Sequence, residues 1–529
     1  MISHLAPVAP SGISSRRARA AIAALAVFSM VFALVGPAPS ADAAVEHVDV
    51  IVRVVPGFGD EARSLVEGAG GEVTLPLDLI DGFAASLPAS SIHRLSASEF
   101  VLEVSPDGPI RLGGWDTGAP NSGGALHRIT TKVVGADEMW RLGHTGQGVG
   151  VALIDSGVAP VAGLDGDGKV LNGPDISFDS DVAGLLHLDS YGHGTHMAGI
   201  IAGSDDGLPD RPKQKDVARQ FAGVAPGAHI VNVKVADGSG TADVSQVIAG
   251  IQWVVEHKDD PEANIGVLNL SFGTDSVQSY LIDPLAHAAE AAWHAGIVVV
   301  TAAGNDGFED RLRNPAIDPF VIAVGAVDAN GTYGTGDDEL LEFSNCGTST
   351  RPVDLVAPGK SVESLRVPGS FADTFFSEAA TGDRFFRGTG TSQAAAVVSG
   401  AAALVLSQHP DLTPDQVKAL LISSASDNRI DELCGDRMLD LHTLSRTTVP
   451  DDASQDFEPS TGSGSLDAAR GSFRVFLDGE PLTGEVDVTG RSWSGGTWSG
   501  GTWSGGTWSG GTWSGGTWSG QMWQGLRWG

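Results

Sequence analysis

The sequence predicts an α/β chain: a mainly parallel sheet with helices on both faces, preceded by a small α+β unit. Three observations lead there. From about residue 125 to 472, short apolar runs ending at Gly or Asp alternate with longer apolar stretches of helical length, the pattern of a parallel sheet under covering helices. Between residues 45 and 107 the patterning reads strand, helix, strand, strand, helix, strand. At 529 residues the chain is long enough for a sizeable core and more than one domain.

At the N-terminus, Arg16, Arg17 and Arg19 precede an apolar run from Ala20 to Val35, and Ala41-Asp42-Ala43 supplies a small-residue cleavage site. Residues 1–43 therefore read as a signal peptide, and the run is short for a membrane span. The Arg16-Arg17 pair also fits a twin-arginine signal but lacks supporting context. In the small unit, strands are expected over Val48–Val55, Glu72–Leu75, Gly82–Leu87 and Phe100–Val104, with helices over Asp60–Glu67 and Pro88–Ser96. Residues 108–124, rich in Gly, Pro and Asp, read as a linker.

In the main body, Gly150–Ile154 reads as a buried strand, Val298–Asn305 as a strand followed by a turn, and Met197–Ala202 and Ala394–Leu406 as buried helices. Asp205–Gln220 and Ser361–Arg387 read as surface insertions. A short β segment, 473–488, follows. From 489 to 529 the chain repeats Trp-Ser-Gly-Gly-Thr, with Trp493, Trp498, Trp503, Trp508, Trp513, Trp518, Trp523 and Trp528 five apart. Neither helix nor strand puts every fifth residue on one face. Paired glycines favour a flexible chain bearing aromatic stickers. Indoles suit sugar faces and membrane interfaces, so a cell-envelope or polysaccharide ligand is one reading of the tail and an unstructured spacer is the other.

Composition narrows the function. With 65 acidic against 32 basic residues the formal net charge is −33, which argues against nucleic-acid binding and favours solubility. The two cysteines, Cys346 and Cys434, fit one disulfide in an exported chain and fit two buried thiols equally well.

The chemistry lies in three glycine-rich motifs: Leu153-Ile154-Asp155-Ser156-Gly157, His193-Gly194-Thr195-His196-Met197-Ala198-Gly199, and Gly388-Thr389-Gly390-Thr391-Ser392-Gln393-Ala394-Ala395. Serine needs an adjacent base to act as a nucleophile. A histidine can take its proton and return it to the leaving amine, and a buried carboxylate fixes the histidine tautomer. These roles fall to Ser392, His193 and Asp155. Asp155 ends an apolar strand, and Ser392 opens an apolar helix, whose free N–H groups favour a developing oxyanion. His193 and His196 lack the spacing and the intervening Glu of a helical zinc site.

Asp…His…Ser is the order of the subtilisin triad, and the chain resembles the secreted subtilisin-like serine proteases from about Gly146 to about Ala469. The resemblance implies further roles. Asn305, after Val298–Gly304, would complete the oxyanion hole. Ser271, Phe272 and Gly273 would form one wall of the first specificity pocket, and Ala302, Ala303 and Gly304 the other. Residues 45–107, including Asp81-Gly82-Phe83-Ala84-Ala85, would be an inhibitory pro-segment acting on the catalytic domain, 125–472, with the maturation cut between Pro106 and Thr130. Asn314-Pro315-Ala316, Phe343-Ser344-Asn345-Cys346-Gly347 and Ala357-Pro358-Gly359 match the family as well. Two positions depart from many relatives: Gln393 stands for Met after the nucleophile, and Ala396 for Pro four residues after it.

No cofactor is required for such catalysis. The family commonly binds structural calcium, and Asp165, Asp167, Asp175, Asp179 and Asp181 form an oxygen-rich stretch. Their spacing is not that of an EF-hand, a solvated acidic loop explains them too, and no metal ligand is assigned. The expectation is a secreted serine endopeptidase acting on proteins or peptides, with its own pro-segment as inhibitor and the tail retaining it at the cell surface. The alternative is an inactive protease fold that binds a surface through its tail.

Overall fold

The computed structural model describes residues 47–493, except 56, 78–81, 89–90, 97, 107–113, 116–121, 308–310, 333, 428–433, 435–436, 451–452, 473–474, 478–479 and 489–492. The expected signal peptide, and all of the tryptophan repeat except Trp493, lie outside the described residues. The chain divides into two compact units, 1–110 and 111–529.

The first unit carries β1 (His47–Val54), α1 (Gly59–Gly68), β2 (Glu72–Leu77), β3 (Gly82–Pro88), α2 (Ile92–Ser96) and β4 (Val101–Pro106). Its strands form an antiparallel sheet in the order β2-β3-β1-β4. Alternate residues of β1 and β3, among them Val52, Val54, Phe83, Ala85 and Leu87, are buried with Ala62 and Val66 of α1, the period-two and period-four pairing of a sheet and a helix that share one apolar layer.

The second unit is built on seven parallel strands: β5 (Gly150–Asp155), β6 (Val170–Asp175), β7 (His229–Lys234), β8 (Ile265–Leu270), β9 (Val298–Ala302), β10 (Ile322–Asp328) and β11 (Leu355–Pro358). Their order is β11-β10-β9-β8-β5-β7-β6. All residues of β5, β9 and β10 are buried, so these strands read as continuous apolar runs. From β5 the chain moves towards β7 and β6, then returns to place β8 on the other side of β5. That reversal is the switch point beside which open α/β sheets place their sites.

Helices α3 (Ala136–Leu142), α4 (His193–Ala202), α5 (Val244–His257), α6 (Pro284–His294), α7 (Thr391–Gln408) and α8 (Pro414–Ser424) complete the body. The starts of α5 and α6 follow from side-chain caps. Asp243 accepts from the Ser245 N–H and closes a capping box with Gln246. Asp283 accepts from Leu285 and Ala286, ahead of Pro284 at the first turn. Helix α7 is buried from Thr391 to Leu406. Its Ala, Gly, Ser and Val residues let it lie against α4 and strands β8 to β11, as expected of a helix apolar on every side.

Three findings refine the sequence reading. Cys346 and Cys434 are joined in a disulfide, which decides between the two alternatives. Ser361–Arg387 is not a surface insertion throughout: β12 (Val362–Leu365) and β13 (Phe385–Thr389) pair antiparallel and bury Val362, Leu365 and Phe386. The interspersed Ser, Gly and Arg residues hid those buried positions. Residues 473–488 contain the expected hairpin, Phe476–Leu477 with Glu480–Pro481, but they are not separate from the body. Val475, Leu482, Val488 and Trp493 are buried in its main apolar cluster. Arg470, also buried, pairs with Asp243 at 2.6 Å and donates to the Gly484 and Val486 carbonyls.

Candidate active site

The residues singled out by the three motifs come together at the C-terminal ends of β5, β8 and β9. Asp155 is the last residue of β5 and is nearly fully buried. Gly157, at φ +104°, turns the chain sharply just beyond it, and a Cβ there would meet the Leu188 backbone at 2.8 Å. His193 opens α4, and its Nδ1 lies 2.9 Å from both carboxylate oxygens of Asp155. Asp155 also accepts from the Ser156 N–H at 2.8 Å.

A second buried carboxylate supports this pair, and the motifs did not reveal it. Asp189 accepts from the Gly192 N–H (2.6 Å), the Thr195 N–H (2.7 Å) and the Ser156 hydroxyl (2.8 Å). It thereby fixes the turn that feeds His193 into α4. The only signal in the sequence is its place four residues before His193, and Asp there is ordinary loop chemistry. Burial alone would lower the basicity of His193. The charge and hydrogen bond of Asp155, helped by the charge of Asp189, outweigh it and raise the pKa above the usual imidazole value. His196 is held neutral instead: burial pushes its pKa down to about 3. Its Nε2 lies 3.1 and 3.2 Å from the Phe386 and Val362 carbonyls, so it ties α4 to β12 and β13.

Ser392 sits in the first turn of α7, nearly buried. Its hydroxyl donates to the Ser271 carbonyl at 2.7 Å, and the Ser271 hydroxyl donates to the Ser392 carbonyl at 3.2 Å. Asn305 follows β9. Its Oδ1 accepts from the Thr391 N–H at 2.9 Å and lies 3.1 Å from the Thr391 hydroxyl. The same hydroxyl accepts from the Gly304 N–H at 3.2 Å. The amide oxygen is thus committed to the turn before the serine, which leaves Nδ2 as the donor end.

The two expected pocket walls lie side by side because β8 and β9 are neighbours, with Thr301 opposite Leu270. Ser271, Phe272 and Gly273 follow the end of β8, and Ala302 is the last residue of β9, with Ala303 and Gly304 following it. Gln393 is buried, and its amide packs under Gly388 and Gly390. It fills space below the strand that leads to Ser392. Gly114–Trp115 pairs antiparallel with that strand, Gly114 opposite Thr389 and Trp115 opposite Gly388.

The acidic stretch serves internal contacts, and Asp165 accepts from the Gly163 N–H at 3.2 Å. Asp175 accepts from the Ser177 N–H and hydroxyl and from the His187 N–H. Asp179 pairs with buried Lys234 at 2.9 Å. Among the described residues no group of three or more His, Cys, Asp or Glu side chains is placed to hold a metal ion.

Comparison with known proteins accounts for this arrangement. The subtilase family matches residues 146–437, more than half of the chain. The chain belongs to the subtilase family. The subtilases are the subtilisin-like serine endopeptidases, which need no catalytic cofactor. This subtilase is 36% identical over 306 residues to serine protease AprX of Bacillus subtilis, a match covering 56% of this chain and 66% of AprX. It is 32% identical to subtilisin DY of Bacillus licheniformis, covering 56% of this chain and 89% of that protein. It is 31% identical to an extracellular serine proteinase of Thermus, covering 66% and 71%. A solved cold adapted subtilisin-like serine proteinase is similar at 29% identity with a TM-score of 0.45, covering 61% of this chain and 98% of that one. No described helix is long and apolar enough to cross a membrane.

Proposed function

We propose that this subtilase hydrolyses peptide bonds in proteins and peptides with Ser392 as nucleophile, His193 as general base and acid, and Asp155 as the orienting carboxylate. The observation that carries the proposal is His193 Nδ1 at 2.9 Å from both oxygens of Asp155; Ser392 stands in the first turn of a buried helix. Bound to Asp155 through Nδ1, the ring turns Nε2 outward as the base. For catalysis the Ser392 hydroxyl exchanges the Ser271 carbonyl for that nitrogen, a tightening that substrate binding commonly brings. Oγ then attacks the scissile carbonyl, and the Ser392 N–H and Asn305 Nδ2 receive the oxyanion. His193 protonates the departing amine, and water releases the acyl group by the same route. The extended substrate lies along Ser271–Gly273 by strand addition.

The same reading gives the chain its life history. Residues 1–43 direct export, as the Thermus relative's extracellular name supports. Residues 45–107 act as an inhibitory pro-segment removed by a cut between Pro106 and Thr130. The tail beyond Trp493 retains the enzyme at a cell-envelope or polysaccharide surface through many weak indole contacts. The presence of Asp155, His193, Ser392 and Asn305, with the Asp155–His193 pair and the contact of Asn305 with the turn before Ser392, supports the catalytic reading over the inactive-fold alternative. The test is Ser392→Ala expressed in a protease-free host. Peptide hydrolysis, labelling by an active-site serine reagent and pro-segment release are all expected to vanish, leaving a folded precursor. Hydrolysis or processing at the wild-type rate would refute the assignment.

A further inference from the structure

Two peptide units flank the Cα of Asn305, and a single residue from another loop holds both of them. The Asn345 N–H donates to the Gly304 carbonyl at 3.1 Å, in the peptide before Asn305. The Asp306 N–H, in the peptide after it, donates to Asn345 Oδ1 at 2.7 Å. Each peptide is planar, so holding the plane on either side fixes φ and ψ at Asn305 and with them the direction in which its side chain leaves the backbone. The other end of the Asn345 amide is committed too. Nδ2 donates to the Arg311 carbonyl at 2.8 Å and to Asp306 Oδ2 at 3.3 Å. The approach is close enough to call for a glycine at 304: a Cβ there, at φ +121°, would come within 2.7 Å of Asn345 Nδ2.

Asn345 is buried and is held from both sides. Ser344 donates its N–H to the Leu341 carbonyl at 2.8 Å, and its hydroxyl accepts from the Ala326 N–H of β10 at 3.0 Å. Cys346 is tied to Cys434 by the disulfide. The loop after β9 is therefore braced from the next strand of the sheet and from a covalent crosslink.

Resting on the reading of Asn305 as an oxyanion donor, we propose that Asn345 is a positioning residue for the hydrolytic reaction. It fixes the root of the Asn305 side chain, while the Thr391 N–H holds its oxygen. Truncating the Asn345 side chain frees the Asp306 peptide. It leaves the backbone bond from Asn345 to Gly304, so the expected pocket wall keeps its support. The donor loosens and the wall does not, which puts the cost on kcat and spares KM.

The experiment is a double-mutant cycle of Asn345→Ala and Asn305→Ala in the mature enzyme. Both constants are measured on a chromogenic peptide, and kcat is expressed per active site titrated with a serine reagent. Asn345→Ala is expected to lower kcat about ten- to hundredfold, the scale of a misplaced catalytic group, with KM within about twofold. In the Asn305→Ala background the same substitution should cost less than about twofold in kcat, because the group it positions is gone. Asn345→Ser, a smaller change, takes the place of Asn345→Ala if the alanine variant fails to fold. An unchanged kcat, a loss confined to KM, or an equal loss in both backgrounds overturns the proposal. When Asn305→Ala alone lowers kcat strongly, those outcomes refute only the role of Asn345. A loss below about tenfold in Asn305→Ala alone refutes the oxyanion reading and this role with it.

Discussion

Replacing Asn305 with Ala tests the oxyanion assignment through two readouts that separate chemistry from structure. The amide oxygen takes the Thr391 N–H at 2.9 Å and lies 3.1 Å from the Thr391 hydroxyl; in the proposed role Nδ2 meets charge that exists only in the transition state. Loss of one such donor costs about 100- to 1000-fold in kcat, a figure that comes from subtilisin itself. KM should change little, because the ground-state carbonyl does not depend on this contact. The structural cost is separate. Two donors at the start of α7 lose their acceptor, at about 0.5–1.5 kcal/mol each. For a body of this size, unfolding entropy of about 0.8 kcal/mol per K converts that into a fall in Tm of about 1–4 °C. Initial rates on a chromogenic peptide and a thermal unfolding scan give both numbers. A kcat loss below about tenfold, or a loss confined to KM, would refute the aim of Nδ2.

Three other outcomes are expected. Because Asp155 and Asp189 raise the pKa of His193, and only the neutral ring can act as base, kcat/KM should fall as pH drops through a midpoint above the ordinary imidazole value. Asp155→Asn removes the first support and should move that midpoint downward as well as slow the reaction, as a pH–rate profile will show. Arg470→Ala strands the buried Asp243 carboxylate and should cost about 3–5 kcal/mol, measured by denaturant unfolding. Truncation after Trp493 should leave hydrolysis intact while releasing the enzyme from envelope material. Truncation after Val488 also removes a tryptophan buried in the main core, so it should destabilise the body by about 3–5 kcal/mol, read from the same unfolding curves.

The site was legible where function and local pattern coincide. Asp155 closes an unbroken apolar strand, Ser392 begins a helix of small apolar residues, and Asn305 follows a third strand, so each motif announced its own element. The supports were not legible, because they arise from contacts across the fold. Asp189 looks like any loop aspartate until Ser156, Gly192 and Thr195 converge on it. Arg470 gains its meaning only from Asp243, far earlier in the chain. β12 and β13 are short, with Ser, Gly and Arg among their residues, and they are tied to the body by His196 of α4. Trp493 belongs by sequence to the repeat and by packing to the core.

The burial of α7 has a consequence for how this enzyme can fail and change. Ser392, the proposed nucleophile, stands in the first turn of a helix buried from Thr391 to Leu406, so it has no hinge of its own. Local loosening at the surface should leave Ser392 in place, and heat inactivation should track cooperative collapse of the whole body. On the proposed assignment of the pocket walls, new preferences would arise in the loops that leave β8 and β9, where a substitution can act without disturbing the anchor beneath it.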